Sequence, residues 1–443
     1  MTNNRRINPM LRTTPSVSLD PTTERAISKA KWRLLPLILL FYFIAFVDRV
    51  NIGFAALTMN KDLGLTPYFY GLGAGIFFIS YVILEVPSNW ALVHVGARRW
   101  IARIMFSWGI ASMLMAATRG PISFLVLRFA LGAAEAGFAP GIVYYMVSWF
   151  PAKERANVIS IYYLGVPLAT IIAGPLSGLI LDHMNGWGGL RGWQWLFLCQ
   201  GFPAVLSAFI ALWFLTDNPK EAGWLNDEER TSLIAVLSRD DQRSASHGHA
   251  HFGAALWDRS VWLLSLAYIF IVMGLYGFGF WMPTIVKGFG YSNTAVGFIA
   301  AVPYLIGAFA MYFWAQHSDK TRERRWHFTI AALALALGLA LAVVPWHAVA
   351  FVGITLCAVG VLAAVPIFFT FPAAFLKGPA AAGGLALVNA TGNIGGFVGP
   401  IVVGWVAQRT GNPASGLLII AAAVVLAPVI ILTLDRKKIS EVE

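Results

Sequence analysis

Twelve long apolar runs dominate the sequence and restrict it to a membrane fold. A helix needs about 20 apolar residues to cross a bilayer, and its backbone satisfies its own hydrogen bonds there. Only 12% of the 443 residues are charged, against about 25% in soluble proteins. The sequence therefore predicts an all-α membrane protein with twelve transmembrane helices. The runs lie near 34–57, 69–94, 101–118, 121–148, 156–183, 192–215, 260–286, 293–316, 327–345, 348–375, 383–408 and 414–434.

The basic residues predict the orientation of these segments. If the N-terminus is placed inside, 25 of the 32 Lys and Arg residues fall on the inner side and 5 on the outer side. Cytoplasmic loops carry such an excess, so we expect an inner-membrane protein with both termini cytoplasmic. The segment up to Arg33 is polar and basic with no hydrophobic core, so we expect no cleavable signal peptide. The net charge of +11 then serves orientation and contact with lipid head groups rather than nucleic acid.

The two halves of the chain repeat each other. An arginine pair, a proline and a Gly-Pro pair each recur 225 or 226 residues later, and a polar stretch separates the halves. Six spans per half give both repeats the same orientation, so we predict two parallel six-helix bundles with a substrate site at the midplane between them. The predicted parts are a cytoplasmic tail (1–33), a first bundle (34–215), a central cytoplasmic loop (216–259), a second bundle (260–434) and a cytoplasmic tail (435–443).

Four charged residues interrupt the apolar runs of segments 1 and 4: Asp48, Arg49, Arg128 and Glu135. Such residues are costly in a membrane and usually mark ion or substrate pathways. Helix rise places Asp48 roughly 21 Å from the inner surface and Arg128 roughly 10 Å from the outer one, which are nearly equal depths in a core about 30 Å thick. We therefore expect Arg128 to pair with Asp48 or, in another state, with Glu135. A static network that only fixes packing is the alternative.

Seven motifs lie along nearly the whole chain: 48–53 (DRVNIG), 86–89 (VPSN), 96–99 (GARR), Arg128 with Glu135 and Gly137, 192–197 (GWQWLF), 217–219 (DNP) and 389–395 (NATGNIG). Together they resemble one branch of the major facilitator superfamily, the anion:cation symporter family. The resemblance implies proton-coupled transport of organic anions such as tartrate, phthalate, 4-hydroxyphenylacetate or sugar acids. Two departures are a missing acidic residue after segment 2, and Phe46 where sugar-acid carriers tend to have tyrosine.

Each candidate residue has a hypothetical role. Arg49 would grip the substrate carboxylate, because a guanidinium offers two parallel donors and stays charged. Asp48 and Glu135 would carry protons, and Arg128 would couple the two events. Tyr81, Thr370, Asn389 and Asn393 are further substrate-binding candidates, although Tyr81 and the aromatic run around Thr370 also suit simple packing. The candidate residues of a cytoplasmic gate are Arg98, Arg99, Asp319, Arg324 and Arg325.

The leading hypothesis is a proton-coupled importer of a small organic carboxylate that works by alternating access. An anion exchanger or facilitator without proton coupling, and a non-transporting sensor of organic acids, are the alternatives. No motif supports an enzyme, a cofactor or a metal site, and Cys199 and Cys357 lie in apolar runs. We expect a monomer whose partners are the organic anion, the proton and the lipid bilayer.

Overall fold

The computed structural model describes residues 20–246, 257–375 and 379–434. The predicted tail 435–443 and residues 1–19 lie outside these ranges. Within them every regular element is helical, which confirms the all-α prediction. The segments, numbered 1 to 12, are Pro21–Asp62, Pro67–Val95, Ala97–Leu114, Pro121–Glu135 with Phe138–Trp149, Ala152–Tyr163 with Gly165–His183, Gly192–Phe214, Arg259–Lys287, Asn293–Thr321, Arg325–Leu341, His347–Phe368 with Thr370–Phe375, Pro379–Thr410, and Pro413–Thr433. Short 3-10 turns occupy Met115–Ala117, Trp187–Gly189 and Pro219–Glu221.

Eleven segments of the described chain are long and apolar enough to cross a membrane. The twelfth, segment 9, is an apolar helix of 17 residues, about 25 Å long. It packs against segments 10 and 12 and so completes the second half of the bundle. The prediction of a polytopic helical membrane protein is confirmed, with segment 9 shorter than the others.

Segment 1 begins at Pro21, well before the predicted Leu34, and its polar start packs against a helix of the central loop, Asp227–Ser246. The amide of Asn226 donates to Glu229 (3.1 Å), and the amide of Glu229 donates to the Asn226 side chain (2.7 Å). This reciprocal cap starts the loop helix. Lys29 of segment 1 donates to Glu229 at 2.8 Å and fixes the helix to the first half. We call this end of the bundle the loop face.

The Lys29–Glu229 pair makes docking of the loop helix sensitive to acid. The hydrogen bond from Lys29 is the main reason that the pKa of Glu229 lies below its ordinary value of 4.5. Because the pKa of Glu229 is lower in the docked state, ionised Glu229 stabilises docking at any pH above its ordinary pKa. This stabilisation is lost as the pH falls through the lowered pKa. Glu229→Gln keeps the cap but loses the charge pair, so we expect opening of 227–246 to increase about 2- to 5-fold at neutral pH. Amide hydrogen exchange measures this opening. The exposed Glu228→Gln is the control, and equal exchange in both variants would contradict the assignment.

Segment 4 breaks between Glu135 and Phe138, where the sequence predicted one continuous helix. Gly137 has φ +84°, a left-handed conformation that favours glycine. A Cβ there would also lie 2.5 Å from the Ser88 hydroxyl of segment 2. Glu135 is consequently the last residue of its half-helix.

The two halves of the bundle meet near the face opposite the loop face. Segment 2 crosses segment 11 and segment 5 crosses segment 8 through glycines, and a Cβ at Gly297 would lie 2.2 Å from the Gly174 carbonyl. Asp182 of segment 5 accepts hydrogen bonds from the Asn293 side chain and the Thr294 amide, each at 2.7 Å. These contacts close the opposite face.

Adding a side chain at the crossing of segments 5 and 8 is expected to open the opposite face. Gly297→Leu cannot keep the backbone approach to Gly174, and overpacking typically costs about 1–3 kcal/mol, which corresponds to a shift of roughly 5- to 150-fold in the closed population. Spin-label distances between segments 5 and 8 should lengthen. Gly120→Ala is the control, since a Cβ there meets nothing within 4 Å. An unchanged distance distribution in Gly297→Leu would refute the assignment.

Candidate functional site

Asp48 and Arg49 leave segment 1 in different directions and have different surroundings, as their spacing on a helix requires. Asp48 is 1% exposed and points toward segment 3. Its carboxylate accepts hydrogen bonds from Trp108 Nε1 (2.7 Å), from Asn51 Nδ2 (2.9 Å) and from the Ser112 hydroxyl. Three neutral donors therefore hold this buried acid.

The predicted ion pair between Asp48 and Arg128 is wrong for this conformation. Arg128 donates from Nε to the Gly73 carbonyl at 3.0 Å and from Nη2 to the Ala74 carbonyl at 3.3 Å. Its guanidinium lies over the Phe77 ring, 5.0 Å from the centroid. Helix rise gave comparable depths but could not give the direction of either side chain. In the described chain, no carboxylate lies within ion-pair distance of Arg128.

Arg49 forms the ion pair at the centre of the bundle. Its Nη2 donates to Oε1 of Glu135, and its Nη1 donates to the Tyr276 hydroxyl of segment 7 at 3.3 Å. The Glu135 side chain is 1% exposed, whereas the Arg49 side chain is 15% exposed. Arg49 is therefore the member of the pair that solvent can reach. Arg49 thereby links the two halves at a solvent-accessible position.

Aromatic rings surround the Arg49 guanidinium. The ring centroids of Phe46, Phe77 and Tyr81 lie 5.5–5.9 Å from its central carbon, within the range of cation–π attraction. The Nε of Arg49 is buried without a hydrogen-bond partner. Nη2 of the Arg49 guanidinium is thus bound to Glu135, while its Nε has no acceptor. The predicted candidate Tyr81 is part of this enclosure.

The other predicted binding residues have different environments. Asn389 and Asn393 lie one helical turn apart in segment 11, on the same face as Gly396, which touches Phe78 of segment 2. Phe78 packs against Tyr276, with 4.5 Å between ring centroids, so the two amides lie on the helix face nearest the Arg49 site. Thr370 donates its hydroxyl to the Ile367 carbonyl of its own segment at 2.7 Å, which makes it the weakest candidate.

Three of the predicted gate residues, Arg98, Asp319 and Arg324, form contacts within their own halves. The amide of Arg98 donates to Asp217 at 2.7 Å, and its Nε donates to the Leu212 carbonyl at 2.6 Å. Asp217, at the end of segment 6, supplies the acid that the connection after segment 2 lacks. In the second half Arg324 pairs with Asp319 at 2.5 Å. Arg99 is exposed, and the Nε of Arg325 is buried without a partner.

Sequence reasoning missed four residues that define the site and its closure: Trp108, Ser112, Tyr276 and Asp182. Trp108 and Ser112 are four residues apart in segment 3, a spacing that places both on one helix face. That spacing was the available signal for a partner of Asp48. No local pattern marked Tyr276 or Asp182, because both act across the boundary between the halves.

Comparisons with known proteins agree on family and fold. Residues 38–400 match the Major Facilitator Superfamily. A “Putative tartrate transporter” of Agrobacterium vitis is 46% identical over 413 residues, 93% of this chain and 95% of that protein. “Inner membrane transport protein RhmT” of Escherichia coli is 38% identical over 93% of this chain and 95% of that protein. The crystal structure of a D-xylose-proton symporter has a TM-score of 0.74 at 15% identity, covering 92% of this chain and 99% of that one, and shows the fold alone.

These matches confirm the predicted superfamily and a transporter rather than an enzyme. The superfamily match spans both halves of the bundle, and the two relatives match at nearly full length. Together with the helical segments that pack in two halves around Arg49, they establish that this multi-pass membrane protein belongs to the major facilitator superfamily.

Proposed function

We propose that the protein imports a small organic carboxylate, with a tartrate-type acid as the leading substrate, together with protons. The Arg49–Glu135 ion pair carries this proposal. An arginine that is accessible to solvent, paired with a buried acid and linked to both halves of the bundle, can exchange its internal carboxylate for an external one.

The exchange is a competition between two carboxylates for one guanidinium. While Glu135 is ionised it occupies Arg49, and a substrate carboxylate has no free cation to bind. When Glu135 takes up a proton its negative charge is lost, and Arg49 can grip the substrate with two parallel hydrogen bonds. Proton binding and anion binding thus favour the same state of the site, and this linkage is what symport requires.

The surroundings of Arg49 fit a compact hydroxy acid. Tyr276 supplies a hydroxyl next to the cation, and Asn389 and Asn393 supply amides from segment 11, so hydroxyl groups of the substrate would meet both donors and acceptors. The name of the Agrobacterium vitis relative points to the same class of substrate. Phthalate and hydroxyphenylacetate-type acids stay in the proposal because aromatic rings also line the site.

The remaining roles follow from the observed contacts. Asp48, held by neutral donors, is proposed as a second proton carrier next to Arg49. Arg128 was expected to couple proton and substrate. Its donors are bound to carbonyls of segment 2, so we assign coupling to Arg49 and a supporting role to Arg128. We further propose a monomer in the inner membrane with the loop face and both termini cytoplasmic.

Uptake into proteoliposomes tests the proposal. We would compare tartrate, phthalate, 4-hydroxyphenylacetate and galactonate with and without an inward proton gradient. One pH unit supplies about 1.4 kcal/mol per proton, enough for about tenfold accumulation with one proton. We expect at least that for tartrate, and we expect a protonophore to abolish it. Equal tartrate uptake with and without the gradient would identify an exchanger or facilitator instead.

A further inference from the structure

Glu85 of segment 2 is a third membrane carboxyl group next to the Arg49 site, and none of the interactions described so far involves it. Its side chain is only 8% exposed, and Oε2 is buried without a hydrogen-bond partner in the described part of the chain. Burying a carboxylate with neither a cation partner nor donors costs several kcal/mol, and such a group usually takes up a proton instead. The other two membrane acids differ, since Asp48 has three donors and Glu135 has Arg49.

Packing between segments 2 and 4 places Glu85 at about the depth of Glu135. The two segments run in the same direction, and a Cβ at Gly132 would meet the Phe77 carbonyl and the Ser80 hydroxyl. Further along, a Cβ at Gly137 would meet Ser88. Glu135 lies between the two contact points of segment 4, and Glu85 lies between those of segment 2. The two acids are therefore at about the same level on neighbouring helices.

Tyr81 connects the two acids to the same cation. It precedes Glu85 by four residues, so both side chains lie on one helix face. Its ring packs against Arg49, and its hydroxyl lies within electrostatic reach of Glu85, Arg49 and Glu135. Arg49 is also the charged residue that acts on Glu85. In the described part of the chain, two titratable or charged groups interact electrostatically with Glu85: Tyr81 on its own helix and Arg49 on segment 1. Glu135 on segment 4 interacts with the same two groups.

From this arrangement we propose that Glu85 is the proton acceptor through which Glu135 discharges its proton toward the loop face. The inference rests on the proposed symport. When the substrate leaves, Arg49 recaptures Glu135. Glu85 is a carboxylate at this point, because its previous proton has already left for the loop face. The O–H bond of the Glu135 carboxyl group breaks, the proton passes through water beside Arg49, and an O–H bond forms on the Glu85 carboxylate, which becomes neutral. Glu135 regains its negative charge for Arg49, and the proton later leaves Glu85 for the water of the loop face. The contacts expected after this transfer are those in the structure, where Glu135 is paired with Arg49 and Glu85 Oε2 has no hydrogen-bond partner in the described part of the chain.

Chemical labelling tests where the proton is held, independently of transport. An apolar carbodiimide reacts with protonated carboxyl groups at apolar positions, and mass spectrometry identifies the modified residue. Without substrate at neutral pH, we expect modification of Glu85, which disappears in Glu85→Gln, and little modification of Glu135. Modification of Glu135 with an unmodified Glu85 would overturn the proposal. Because this readout needs no gradient, it decides on Glu85 even if the parent protein shows no proton-driven uptake, an outcome that would refute the symport proposal itself.

Transport measurements test whether the proton on Glu85 is used. For Glu85→Gln we expect proton-driven tartrate accumulation and the accompanying proton influx to fall at least about fivefold. Tartrate exchange between two equal pools needs no net proton release and should fall less than about threefold. Glu85→Asp, which can still hold a proton, should recover most of the accumulation. Parent-like accumulation in Glu85→Gln, or equal loss of exchange and accumulation, would overturn the proposal. Glu154→Gln, an acid paired with Lys31 at 2.6 Å near the loop face, is the matched control.

Discussion

Replacing Arg49 with lysine is expected to abolish measurable tartrate uptake. Lysine keeps the positive charge but has no planar fork, so it cannot hold a carboxylate through two parallel hydrogen bonds or lie flat among the rings of Phe46, Phe77 and Tyr81. Truncating one member of a buried charge pair costs about 2–5 kcal/mol, which corresponds to roughly a 30- to 4,000-fold loss of affinity. Uptake at substrate concentrations below saturation measures this loss directly.

A matched control separates loss of binding from loss of folding. Arg409→Lys also replaces an arginine that lies over an aromatic ring, 4.0 Å from the Trp405 centroid, but near the opposite end of segment 11. It should change uptake less than about twofold. Thermal unfolding with and without tartrate gives a second readout, because a ligand that binds the native state stabilises it. We expect tartrate to protect the parent and Arg409→Lys but not Arg49→Lys. Tartrate protection of Arg49→Lys, or uptake within about threefold of the parent, would contradict the role of Arg49.

The sequence predicted the helical segments well, because they depend on apolar length along the chain. Apolar length determines where a segment can span. A rise of about 1.5 Å per residue predicts comparable depths for Asp48 and Arg128, with Glu135 two turns further along segment 4. Segment 1 is longer than predicted because its polar first turns are helical as well and pack on the loop helix. The length of an apolar run cannot predict such a polar extension. Segment 4 broke at Gly137, where close packing against Ser88 is a tertiary effect.

The pairing of the charges could not be predicted, because it depends on the direction of side chains around each helix. The predicted depths were compatible with an ion pair between Arg128 and Asp48. In the structure, Trp108 and Ser112 of segment 3 donate hydrogen bonds to the Asp48 carboxylate instead. Arg49 was expected to bind the substrate carboxylate, and in the structure it is paired with Glu135. The structure adds one specific contact to the predicted site, because it identifies Glu135 as the carboxylate paired with Arg49.

Replacing Glu135 with glutamine is expected to separate substrate movement from proton movement. Glutamine resembles a protonated Glu135 in shape and in its lack of charge, but it cannot release a proton. Arg49 would then remain available to the substrate at every pH. We expect tartrate exchange to continue within about threefold of the parent and to lose its pH dependence. Accumulation should fall to simple equilibration, about a tenfold loss for each pH unit of gradient and each proton.

The comparison of exchange with accumulation in one preparation makes this result specific. A variant that merely folds poorly would lose both activities in proportion to the amount of active protein. Glu154→Gln again serves as the matched control, and it should retain exchange, accumulation and the parent's pH dependence. Full proton-driven accumulation by Glu135→Gln would mean that its carboxyl group does not carry the coupled proton. Asp48 would then remain the only acid next to Arg49 in this proposal that could do so, since Glu85 is assigned to release rather than to competition for the guanidinium.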